Sequence, residues 1–157
     1  MSMKEVKQSG FNGLRILCIL SVIGFVYSMA NDSVSYYTYA NNEELSKTDD
    51  AQLKEQIEDK MSYFNENDLD ISKDGIKDLS WLYLGRAIID VLALLGVTLM
   101  FYKLKIGFNI YVVFQICYVV IPFVLLGNKA HIVIPYKEMA ITLVYVALFI
   151  TQRKHLV

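Results

Sequence analysis

Residues 79–102, LSWLYLGRAIIDVLALLGVTLMFY, are long and apolar enough to cross a bilayer, yet they hold Arg86 and Asp90 inside the stretch. About 20 residues cross the hydrocarbon, and a charge left there costs at least about 2.5–3.5 kcal/mol unless it is paired or solvated. Arg86 and Asp90 stand four apart, so on a helix they share a face and can neutralise each other. Gly85, Ala93, Gly96 and Val97 fall on that face. Ile88, Val91, Leu92, Leu94, Leu95 and Leu99 fall on the other. Small residues beside charges on one side and branched aliphatics on the other describe a helix whose charged stripe meets protein.

The rest of the composition agrees with a membrane protein. Hydrophobic residues make up 55% of 157. The net charge of −1 conceals an asymmetry, because residues 31–79 hold thirteen acids and five lysines while the remainder holds ten bases and three acids. Charge segregated in this way is what a membrane sorts across its two faces. Cys18 and Cys117 both lie in apolar stretches at different expected depths, which makes them poor disulfide partners and good packing residues.

Four spans are expected, at about 14–30, 79–102, 106–126 and 132–151, around one membrane domain that covers the whole chain. The first follows a basic leader (Lys4, Lys7, Arg15). An alternative reads residues 1–30 as a cleaved signal peptide ending at Ser28-Met29-Ala30. Residues 31–78 form an outer acidic segment, in which Tyr36, Tyr37 and Tyr39 suit a membrane surface. Within it Thr48 can cap an amphipathic helix that places Leu53, Ile57, Met61 and Phe64 on one face. That face suits either a cap over the bundle or the docking of a partner. Ser72 could cap the second membrane helix, although Gly75 weakens the continuity. Tyr111, Gln115, Tyr118 and Pro122 make a polar stripe on the third span that should face inward. Lys103 and Lys105, the leader, and Arg153 with Lys154 then share the cytoplasmic side, with both termini inside.

No CxxC, zinc motif, phosphate loop or nucleophile elbow is present, so no cofactor, metal site or catalytic residue is expected and the chain reads as non-enzymatic. The basic patches are too small for nucleic acid. What remains is an intramembrane polar set of Arg86, Asp90, Gln115 and Glu138, whose expected depths overlap. Such groups mark ion or substrate pathways by default, or else clasp helices together. The segments RILCILSVIG (residues 15–24) and FYKLKIGFNIYVVFQI (residues 101–116) resemble those of uncharacterised small four-helix inner-membrane proteins of Gram-negative bacteria. The resemblance implies a bacterial inner membrane and a four-helix unit, and it supplies no catalytic residues. Claudins and tetraspanins share the topology, but their disulfide-defined outer loops have no counterpart here. The leading expectation is a structural or accessory subunit of a membrane complex or homo-oligomer, held by an Arg86/Asp90/Glu138 clasp. The alternative is a small channel or transporter that uses those charges.

Overall fold

The computed structural model describes residues 3–45, 47 and 50–157, with side chains described from Gly13 onward except at Glu43 and Leu53. All regular elements among these residues are helical. They are α1 (Met3–Ala40), the single turn α2 (Asn42–Leu45), α3 (Ala51–Glu66), α4 (Lys73–Phe101), α5 (Lys105–Leu126), the short α6 (Ala130–Val133) and α7 (Tyr136–Gln152). Short 3-10 turns cover Gly127–Lys129 and Arg153–His155. Three stretches, Gly13–Ala40, Lys73–Phe101 and Lys105–Val133, are long and apolar enough to cross a membrane, which is compatible with an integral membrane protein. α7 has 17 residues, so it reaches only about 25 Å at 1.5 Å per residue.

The largest departure from the expected layout is α1. It runs unbroken to Ala40, so residues 31–40 continue the first helix. Ser28-Met29-Ala30 accordingly sits in mid-helix. The cause is visible in what α1 buries. Leu14, Cys18, Ser21, Phe25, Asp32, Ser35 and Tyr39 are buried and Ser28 half-buried. Their spacing alternates three and four, the seam of a two-helix coil. Average hydropathy falls after residue 30 because the outward positions become polar. The seam itself does not stop.

The seam packs antiparallel on α4. At one end Leu14 and Cys18 share a core with Met100, Val97 and Ala93. At the other, Tyr39 joins Leu79, Leu82 and Tyr83, with its ring stacked on that of Tyr83 at 5.4 Å. α4 leaves Ile88, Val91 and Leu95 exposed on its far side. α5 returns beside α4 after a turn in which Lys103 takes a positive φ of 66°. Its stripe of Tyr111, Gln115, Tyr118 and Pro122 is buried. Gly96 and Gly107 bring the two backbones together: a Cβ on Gly107 would stand 2.6 Å from the Gly96 carbonyl oxygen and 2.7 Å from the Met100 nitrogen.

α3 covers the end of the bundle near Tyr39. Ile57 and Phe64 are buried and Met61 half-buried. Phe64 and Met61 pack with Leu69, Tyr83, Ile132 and Val133. Of the face read as a cap or a docking surface, Met61 and Phe64 therefore lie against the chain's own core. The Leu53 side chain and the expected cap Thr48 lie outside the described residues.

α4 starts at Lys73, earlier than residue 79, with Ser72 as its cap, Oγ accepting from the Gly75 N–H at 3.2 Å. Gly75 does not interrupt the helix. It is required there, because a Cβ would meet the Asp70 carbonyl oxygen at 2.2 Å. Asp70 accepts the Ser72 N–H at 2.9 Å, which holds its carboxyl below the usual range. Ser72→Ala should lower stability by about 1 kcal/mol, measured as a shift in the unfolding midpoint in mild detergent. An unchanged midpoint would show that the cap contributes nothing.

Candidate functional site

Asp32 of the seam meets Arg86. Its guanidinium is almost completely buried and reaches four elements at once. Nε lies 3.3 Å from Asp32 Oδ2 on α1. Nη1 donates to the Val133 carbonyl at 3.1 Å. Nη2 donates to the Tyr118 hydroxyl on α5 and lies 3.4 Å from Glu138 Oε2 on α7. The guanidinium also lies over the Tyr118 ring, 4.6 Å from its centroid.

The Val133 acceptor exists because of Pro135. A residue before proline is pushed out of the helical region, and Ile134 adopts φ −115°, ψ 99°. The expected fourth span from Ile132 is therefore broken: α6 ends at Val133 and α7 begins at Tyr136. Breaking the helix frees a carbonyl that Arg86 takes up, and it places Glu138 in the first turn of α7, where a carboxylate suits the helix dipole.

Of the residues expected to act together, Arg86, Asp90, Gln115 and Glu138 all line one cavity. The pairing inside that set differs from expectation. Arg86 forms its ion pairs with Asp32 and Glu138, not with Asp90. Helix side chains lean toward the N-terminus, so a long arginine extends away from an acid four residues further on. The acid-first order is the favourable one for such a pair.

Asp32 is the residue that sequence reasoning missed. It is fully buried, and it was hidden in a segment read as outer and polar. The unbroken three-four seam through Ser28, Asp32, Ser35 and Tyr39 is the signal that locates it.

Asp90, not paired with Arg86, is among the residues that line the cavity. It is 1% exposed, and its Oδ2 has no hydrogen-bond partner among the described residues. Ser28 lines the same cavity, with a hydroxyl 3.4 Å from that of Tyr118. The cavity has a volume of about 310 Å³ and lies between α1, α4, α5 and α7. Its floor is polar, and its walls include Phe25, Tyr111 and Tyr145. The mouth is marked by lining residues that are also exposed, Tyr27 at 76% and Ile141 at 57%, so it opens between α1 and α7. Largely apolar walls with a few convergent polar groups are the usual make-up of a small-molecule site. Comparison with known proteins gives no matching family, no matching relative and no matching solved structure.

Proposed function

We propose that this is a non-enzymatic integral membrane protein that holds a small solute in the cavity between α1, α4, α5 and α7, as a small carrier or channel. The observation that carries this reading is Asp90, buried, lacking a partner for Oδ2, and lining a cavity with an exposed mouth. Arg86 has the separate task of joining the helices through Asp32 and Glu138. In this reading α7 completes a fourth crossing in a bacterial inner membrane, with both termini cytoplasmic. Counting up from Arg15 and down from Phe101, Asp32 and Arg86 lie at matching heights, about 25 and 22 Å.

Accessibility tests the cavity. In a variant with Cys18 and Cys117 replaced by alanine, Thr142→Cys on the cavity wall should react with a small thiol reagent in membranes. Ala93→Cys, fully buried in the core, should not. Equal inertness at both positions would remove the aqueous cavity.

Sidedness is tested in the same background. Cysteines at the exposed positions Glu58, Lys105 and Lys154 should divide, with Glu58 alone labelled by an impermeant reagent added to intact spheroplasts. Labelling at Lys105 from outside would invert the topology.

A second reading is a structural subunit of a membrane complex or homo-oligomer. It is favoured by the way Arg86 is consumed within its own chain as a clasp. An associated subunit recovered in mild detergent, together with an inert Thr142→Cys, would favour it.

A further inference from the structure

Building on the solute-binding reading, we infer that the cavity takes a monovalent organic cation, a small lipophilic amine or ammonium group. Two carboxyl groups, those of Asp32 and Glu138, pair with the Arg86 guanidinium, and a third, that of Asp90, lines the same cavity as Arg86 and Glu138. Asp32 is ion-paired with Arg86 although neither of its oxygens accepts a hydrogen bond among the described residues, and Glu138 leans on the same group from a partly exposed position. Asp90 is left with an acceptor and no donor for Oδ2. A buried carboxylate oxygen in that state calls for a donor or a cation.

The remaining lining narrows the choice. An anion would need Arg86, but Nη1 and Nη2 already donate to Val133, Tyr118 and Glu138, and Nε is ion-paired with Asp32 at 3.3 Å. A divalent metal ion prefers six or more oxygen ligands. Among the described residues, no three His, Cys, Asp or Glu side chains are grouped to hold one. The rings of Phe25, Tyr27, Tyr111 and Tyr145 line the walls, and aromatic faces attract cations of low hydration. The mouth between α1 and α7 lies among exposed apolar side chains, which suits a ligand with an apolar body. A volume of about 310 Å³ is at the small end for ligand sites, so the body is about one ring in size.

The test uses the full-length protein in detergent and three probes of one shape: phenethylammonium, phenethyl alcohol and phenylacetate. Binding is measured by calorimetry against empty micelles. The cation should bind best, the alcohol more weakly and the carboxylate worst. Asp90→Asn should weaken phenethylammonium about tenfold or more while leaving phenethyl alcohol within about twofold. Gly24→Leu should abolish binding of all three, because Gly24 lines the cavity and a Cβ there meets nothing within 4 Å.

Phenylacetate binding as well as the cation, or Asp90→Asn leaving the cation unaffected, would overturn the inference while the solute cavity stands. So would an alcohol that binds as tightly as the cation. If no probe binds, the inference falls, and Thr142→Cys labelling decides the solute-binding reading separately. Should Asp90→Asn not fold, the ranking of the three probes on the unaltered protein still decides.

Discussion

Arg86→Leu is expected to destabilise the protein by about 3–5 kcal/mol, the cost of leaving a buried charge without its partner. The charge in question is Asp32, which is fully buried and has Arg86 3.3 Å away. The Tyr118 hydroxyl and the Val133 carbonyl lose their donor in the same step. Removing Asp32 as well should recover most of the loss, so Arg86→Leu with Asp32→Leu should be more stable than Arg86→Leu alone. The pairing with Asp90→Leu should recover less, because Asp90 is not in the ion pair. Arg86→Lys should rescue poorly, since one ammonium cannot span acceptors on α1, α5, α6 and α7. Unfolding midpoints of the four variants in one detergent check this. Equal rescue by Asp32 and Asp90 would show that the guanidinium is shared differently.

Gly107→Leu should cost about 3 kcal/mol, the upper end for forcing atoms into a packed core. What the new side chain meets is backbone, the Gly96 carbonyl oxygen and the Met100 nitrogen, neither of which can rotate aside. Gly96→Leu should behave alike, since its Cβ would stand 2.7 Å from the Tyr111 nitrogen. Gly85→Ala is the control: nothing lies within 4 Å of its Cβ, and alanine is the better helix former. A thermal-shift series over the three positions separates close packing from general intolerance of substitution. Near-equal midpoints would mean that α4 and α5 are not held at this distance.

Much of this architecture is written in local patterns. The small-residue stripe of 79–102 locates the α4 contact with α5, because glycine at 96 is where another backbone can come close. The Tyr111–Gln115–Tyr118–Pro122 stripe is legible for the same reason: its 3.6-residue period states which face is buried. Where α1 ends is not legible from average hydropathy. Asp32, Ser35 and Tyr39 look like surface residues until their partners on α4 are known, and a buried carboxylate is acceptable only beside a cation some fifty residues further on. The choice of partner for Arg86 follows the same logic. Spacing alone allows Asp90, and only the lean of the side chain and the freed Val133 carbonyl direct the guanidinium elsewhere. The Arg86–Glu138 proximity depends on Pro135, whose effect on the preceding residue is local but whose consequence for Arg86 is tertiary.

At the basic end of the molecule the last residue is stitched into the α4–α5 turn. The Val157 N–H donates to the Lys103 carbonyl at 2.7 Å, and the Lys105 N–H donates to the Val157 carbonyl at 3.0 Å. Leu156 is buried beside Leu14 and Phe108. α7 is therefore moored at its C-terminal end and bounded by the break at Ile134 and Pro135 at its other end. Such a helix cannot slide along its neighbours without tearing out the mooring. Its other end is held as well, by the fully buried Ile134 and by the ion pair of Glu138 with Arg86. A helix fixed at both ends keeps Glu138 and one side of the cavity mouth at a set distance from α1.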